Sequence, residues 1–218
     1  MDTADTMNRT RSHPRTARAT TVRTPQQQRA RAKVARILTA AETSFSTHGY
    51  AHTTIARIAR QARVSVGTVY AYFVDKDDVL KQLLTHHVEM LLQPAETFLA
   101  HLPHGADMAK TLATLLRDSL RTHAAHAGLH MVFTERIMQD AKLRQLASIF
   151  YERGLQLGRT LIARFGGARA KADREASAHV LVGLLDFCTH IGILYPSNVT
   201  AERACAVGSA MLCAYFNA

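Results

Sequence analysis

The chain has 218 residues, 47% of them hydrophobic, enough to bury a sizeable core. No run approaches the ~18 apolar residues that span a bilayer and none has the form of a secretory leader, so no membrane association and a cytoplasmic location are expected. The formal net charge of +10 is local, because residues 1–74 hold 12 Lys and Arg against 3 Asp and Glu, whereas residues 75–218 hold 15 against 14. Such an asymmetry directs a positive field from the first third toward a polyanion.

Residues 1–24 combine five arginines with Thr, Ser and Pro and almost no large apolar side chain. They cannot offset the entropy of ordering, and a disordered basic arm is expected, either tracking phosphates or remaining a solvated tail. From about Gln28, the residues Val34, Ile37, Leu38, Ala41 and Phe45 recur at spacings of three and four, forming one stripe of a helix that ends at Gly49. Thr54 caps a short helix that turns Ile55, Ile58, Ala59 and Ala62 inward, and Ser65 caps the next one. On that next helix, Val69 and Phe73 define the buried side, while Gly67 and Ala71 point away from it, flanked by Thr68 and Tyr70. A helix-interior glycine costs about 1 kcal/mol relative to alanine, and close approach of another body is a reason to keep it.

The remainder has no strand-like alternation of useful length. Helices are expected over 76–100 with a kink or break at Pro94, then over 107–125, 128–140, 142–165, 173–194 and 200–216. The stretches HLPHG, FGG and YPSN supply the breaks.

A small, uncharged helix surface ringed by cations suits the major groove of DNA, where the backbone can sit deep and charge is needed only around it. The candidate contacts are Thr54, Arg57, Arg63, Ser65, Val66, Gly67, Thr68, Tyr70, Ala71, Tyr72 and Lys76. Ser65 leaves backbone N–H groups facing outward for a phosphate, and Arg57, Arg60 and Arg63 lie on the preceding helix and turn. Lys76 opens a helix at its positive end, where a cation is locally unfavourable. Either a phosphate compensates it, or Asp75, Asp77 and Asp78 neutralise it on the surface.

The run ILTAAETSFSTHGYAHTTIARIARQARVSVGTVYAYFVDKDDVL, residues 37–80, resembles the DNA-binding region of the TetR family of bacterial transcriptional regulators. The resemblance is carried by Ala41, Phe45, Gly49-Tyr50, Thr53-Thr54, Ile58-Ala59, Val64-Ser65, Gly67-Thr68-Val69-Tyr70, Tyr72-Phe73, Lys76 and Leu80. Two residues depart from the family pattern. Arg63 stands where glycine is usual, so the turn either avoids a left-handed conformation or accepts a cost of about 1 kcal/mol. Val66 replaces a commonly basic residue, which suggests an apolar contact to a thymine methyl.

The resemblance implies an all-α fold. An N-terminal three-helix helix-turn-helix DNA-binding domain (25–80) would join a larger helical effector-binding and dimerisation domain (81–218). It further implies a sequence-specific regulator, most simply a homodimeric repressor joined through its two C-terminal helices. That repressor would leave a pseudo-palindromic operator when a small apolar ligand binds. Double-stranded DNA, a small-molecule effector and a second copy are the expected partners; no cofactor, metal or enzymatic activity is expected. The second reading is a helical metal-binding or enzymatic bundle with a basic, nucleic-acid-contacting front end. No Glu-x-x-His pair, phosphate-binding glycine loop or Gly-x-Ser-x-Gly elbow supports it.

Phe98, Met108, Leu112, Leu115, Met131, Phe133, Met138, Phe150, Tyr151 and Phe187 are candidates to line an effector cavity. His123, His126 and His130 could share a helical face, but Gly128 interrupts it and no neighbouring cysteine or carboxylate completes a ligand set. Partly exposed or hydrogen-bonded imidazoles are therefore expected. Cys188, Cys205 and Cys213 lack metal-site spacing and read as small buried hydrophobes.

Overall fold

In the computed structural model, which describes residues 25–194 and 198–217, every regular element among the described residues is an α-helix. The expected basic arm at 1–24 lies outside them. The helices are α1 (Pro25–His52), α2 (Ile55–Gln61), α3 (Val66–Tyr70), α4 (Lys76–Ala100), α5 (Met108–Ala125), α6 (Ala127–Gln139), α7 (Ala141–Phe165), α8 (Ala168–Ala172), α9 (Arg174–Leu194) and α10 (Ala201–Phe216).

Local chemistry sets most boundaries. Gly49 breaks the α1 geometry with φ 69°, a left-handed value that glycine adopts without steric cost. The Thr53 hydroxyl then donates to the carbonyls of Ser44 and Gly49, satisfying acceptors at the end of the α1 ladder. Thr54, Ser65, Asp75, Asp107, Asp140 and Thr200 each accept a backbone N–H at a helix start. Such a cap is worth about 1 kcal/mol. The expected break at Pro94 does not occur, since α4 runs through it. The short α8 was not anticipated; Gly166 and Gly167 read only as a break, whereas Ala170 is fully buried against the second core.

Two large cores, with a small cluster of Leu116, Cys188 and Cys205, organise the described residues. The first joins Ile37, Ala41 and Phe45 of α1 to Ile58, Val69, Phe73 and Leu80, and extends into Leu129, Val132 and Phe133 of α6. The second packs Leu99, Leu112, Leu155, Leu161, Ile162, Leu181, Leu212 and Phe216 from α4, α5, α7, α9 and α10. The helix α4 enters both, contributing Leu80 to one and Leu99 to the other. Arg153 of α7 ties it laterally, reaching Glu89 at 2.6 Å and Glu96 at 3.0 Å.

Candidate nucleic-acid interface

The two caps place α2 and α3 about a tight turn, with Thr54 Oγ1 accepting from Arg57 N at 3.2 Å and Ser65 Oγ from Thr68 N at 3.1 Å. Val69 and Phe73 anchor α3 in the first core. Gly67, and Ala71 at the C-terminal cap, are exposed on the opposite side, as the sequence pattern predicts. A Cβ built on Gly67 would meet only Ser65 Oγ, 3.9 Å away, so nothing inside the protein demands glycine here. Tyr70 is 55% exposed and Val66 41% exposed, which leaves both side chains able to reach outward. Thr68 is half-buried, its hydroxyl 2.8 Å from that of Ser65. Arg60 and Arg63 are exposed; Arg57 is half-buried, with Nη1 2.9 Å from His48 Nε2.

Three residues differ from their expected settings. The helix α3 ends at Tyr70, so Ala71 and Tyr72 belong to the turn after it, and Tyr72 packs partly against the first core. Lys76 is not a solvated cation. Its Nζ donates to the Tyr50 carbonyl at 2.8 Å and stands 3.9 Å above the Tyr50 ring. Burial lowers its pKa. The last turn of α1, beyond the break at Gly49, thus offers the acceptor that makes a lysine tolerable at the positive end of α4.

Arg63 takes the left-handed conformation, φ 54°. Arg36 of α1 braces the turn by donating to the carbonyls of Ala62 at 2.7 Å and Arg63 at 3.1 Å. No local pattern around Arg36 signals this role, because its acceptors lie on another element. The substitution Arg63→Gly should raise stability by about 1 kcal/mol by relieving the positive φ, read as a higher urea midpoint. It should at the same time weaken DNA binding through the lost cation. An unchanged or lower midpoint would count against strain at this turn.

Behind the turn, Tyr50 joins three helices. Its hydroxyl donates to the Asp77 carboxylate, its ring lies under Lys76, and the Arg136 guanidinium of α6 sits 4.1 Å from the ring centroid. Burial and then Asp77 push the phenol up to about 12. Nearby, His126 hydrogen-bonds Glu42 of α1, and Gly128 lets α6 touch α1: a Cβ there would fall 2.8 Å from Ser46 Cβ. The helix α1, against which α2 packs, therefore rests directly on α6.

A cavity of about 250 Å³ opens between α4, α5, α7 and α9, its walls including Leu91, Pro94, Phe98, Leu115, Leu157 and Leu185. Of the residues expected to line a cavity, Phe98 and Leu115 do so. Leu112, with Met108 packed beside it, belongs to the second core, and Phe133, with Phe150 beside it, to the first. Met131, Met138, Tyr151 and Phe187 are on the surface. The polar end of the cavity contains Ser119, His123, Asp186 and Thr189.

Of the two settings expected for the histidines, partly exposed or hydrogen-bonded, His123 and His130 take the second, buried and hydrogen-bonded, and His87 is buried beside them. Burial, followed by the neighbouring imidazoles, holds His87 down at about 3; burial likewise lowers His123 and His130. Because the folded pKa lies below the unfolded one, the unfolded chain takes protons first, and stability present above about pH 6.5 is lost below it. Moving from about pH 7.5 to about 5.5 should cost roughly 1.4 kcal/mol from His87 alone. Urea unfolding at the two pH values reads this directly, and equal midpoints would refute a buried neutral imidazole.

Comparison with known proteins agrees with this geometry. Residues 37–83 match the family described as bacterial regulatory proteins, tetR family. The regulator HbdR of Aromatoleum sp. (strain CIB) is 42% identical over 71 residues, covering 28% of this chain and 31% of that protein. TtgR of Pseudomonas putida, also a helix-turn-helix transcriptional regulator, is 29% identical over 76% of this chain and 82% of its own length. A transcriptional regulator from Pseudomonas aeruginosa PAO1 shares the fold with a TM-score of 0.69 at 17% identity, covering 86% of this chain and 90% of that one. A capped helix-turn-helix with this outward surface defines a DNA-binding transcriptional regulator. Over residues 37–83 that DNA-binding segment is of the tetR-family type.

Proposed function

We propose that the protein is a cytoplasmic, homodimeric repressor that binds a pseudo-palindromic operator and leaves it when a small, largely apolar molecule occupies the cavity between α4, α5, α7 and α9. It acts by binding, with no chemical step. Residues 25–80 serve as the DNA-binding domain, 81–218 as the effector and dimerisation domain, and 1–24 as a basic arm. Each α3 enters a major groove, the two grooves lying about 34–36 Å apart along the duplex. Val66, Gly67, Thr68, Tyr70 and Ala71 face base edges, while Thr54, Arg57, Arg63, Ser65 and Tyr72 meet the backbone. Lys76 acts indirectly, by fixing Tyr50.

The observation that carries this reading is the exposed, uncharged line from Gly67 of α3 to Ala71 at its C-terminal cap, with no internal reason for the glycine. Effector release is supported by the cavity wall itself, since α4 runs from the cavity into the first core beneath α3. Footprinting on the DNA upstream of the protein's own gene tests the reading. Protection of a two-fold-related pair of half-sites is expected, with binding that weakens steeply as salt rises. Absence of protection at low salt would overturn it.

A further inference from the structure

Apart from the DNA-facing surface, five histidines from distant parts of the chain converge where α4, α5, α6 and α9 meet. His123, His130 and His190 bring one ring nitrogen each within 4.8 Å of one another. Their ring centroids lie 4.4, 4.6 and 4.8 Å apart, pair by pair. His87 and His126 border the group.

The hydrogen bonds around the trio assign the protons of two of its rings. His123 Nδ1 is 2.8 Å from the Ser119 carbonyl oxygen. His190 Nδ1 is 2.8 Å from the Asp186 carbonyl oxygen and 3.2 Å from its carboxylate. A carbonyl or carboxylate only accepts, so both rings carry the proton on Nδ1 and leave a bare Nε2. His130 Nε2 is 2.6 Å from His87 Nε2, and its Nδ1 is 3.1 Å from His190 Nε2. When His130 donates to His87, its Nδ1 becomes the third lone pair, and His87 must protonate Nδ1, the buried atom that lacks a hydrogen-bond partner. Two lone pairs, on His130 and His190, then face each other with nothing between them to hold them. A cation held between them stabilises that arrangement; the competing arrangement is a hydrogen-bond chain in which His87 Nε2–H donates to His130 Nε2 and His130 Nδ1–H donates to His190 Nε2.

We propose that His123, His130 and His190 bind one divalent transition-metal ion of the zinc type. Three neutral imidazoles suit zinc, cobalt, nickel or copper, and reject the oxygen-seeking magnesium and calcium. Acceptors behind His123 and His190 provide the outer-shell support that metal-binding histidines need. The fourth position opens toward the cavity, because His123, Asp186 and Thr189 line it, so water or a bound effector completes the coordination.

Metal–nitrogen bonds of about 2.0–2.1 Å in a tetrahedron set the nitrogens about 3.3 Å apart. The trio therefore closes on the ion, and α6 moves with His130. This same helix bears the His126–Glu42 bond and the Gly128–Ser46 contact with α1. Binding consequently alters the support of the helix-turn-helix, a consequence that rests on the DNA-binding reading, whereas the site itself does not.

Chelator-treated protein titrated with Co²⁺ tests the site. Visible absorption bands of four-coordinate cobalt are expected to saturate at one ion per chain and to be displaced by Zn²⁺. His123→Ala and His190→Ala should each lower Zn²⁺ affinity at least 100-fold, while His86→Ala, at an exposed neighbour of the cluster, should leave it unchanged. Helical circular dichroism checks folding, and His190→Gln, which keeps the side-chain volume, substitutes for any variant that fails it. Lack of the cobalt bands in the wild-type protein, or unchanged zinc affinity in the histidine variants, would overturn the site and leave the His87–His130–His190 hydrogen-bond chain in its place. DNA affinity measured with and without Zn²⁺ tests the coupling separately. Zinc bound with no change in DNA affinity overturns the coupling alone, and zinc bound by a protein that ignores DNA overturns the DNA-binding reading alone.

Discussion

The substitution Gly67→Leu should reduce operator affinity by roughly 100-fold or more while the protein keeps its fold and the proposed dimer. The two effects have different origins. Inside the protein, a side chain at position 67 projects into open space, since the nearest atom to an added Cβ is Ser65 Oγ at 3.9 Å. Removing a helix-interior glycine should even raise stability, by up to about 1 kcal/mol. Against DNA, the added side chain stands on the most protruding line of α3, where the backbone must approach the groove floor. Losing about 1.5–3 kcal/mol of base contacts at each half-site, and doing so twice, gives the stated factor. Gly67→Ala should give a smaller loss with the same gain in stability. Fluorescence anisotropy on the footprinted operator, together with urea unfolding, reads both quantities. If Gly67→Leu binds as tightly as the wild-type protein, α3 does not enter a groove. A loss of affinity that accompanies unfolding would instead make Gly67 a structural residue.

What the sequence made legible follows from range. The α1 stripe, the Thr54 and Ser65 caps and the outward position of Gly67 depend on residues within one or two turns, so periodicity and capping were enough to read them. Lys76 was misread because its partner, the Tyr50 carbonyl, is 26 residues away, and no local pattern links a first-turn lysine to the last turn of another helix. The histidines fail for the same reason. His123 and His130 stood out by spacing, but the third imidazole of the cluster, His190, comes from α9.

The cavity illustrates a different limit. Selecting large apolar residues finds those that fill space, and Leu112 and Phe133 indeed fill the cores. A cavity forms where side chains leave space, and its walls accordingly include Ala95, Gly154 and Gly158 beside the leucines. Pro94, expected to break α4, lies in that wall too, where its missing N–H leaves a helix carbonyl without its usual donor.

The second large effect concerns the C-terminal helices, where the double substitution Val207→Asp with Met211→Glu should convert the proposed dimer to monomers. Val207 and Met211 are 62% and 60% exposed and lie one turn apart on α10; on α9, Val180 is 65% exposed. These side chains are large and apolar, and the same two helices bury their other faces in the subunit through Leu181, Cys188, Cys205, Leu212 and Phe216. Helices apolar on both sides have more surface to cover than one subunit supplies. In a two-fold interface every substitution occurs twice, so the variant would bury four unpaired carboxylates, each costing several kcal/mol. No such cost arises in a monomer, where both positions face water, and the helical fold should be retained. Sedimentation at micromolar concentration should give a dimer for the wild-type protein and a monomer for the variant. Affinity for the full palindrome should then fall by about 100-fold or more, because the second half-site no longer binds as part of one body, while affinity for an isolated half-site should stay as it was. A variant that remains dimeric would move the interface away from α10, and a wild-type monomer that protects both half-sites would remove the need for one.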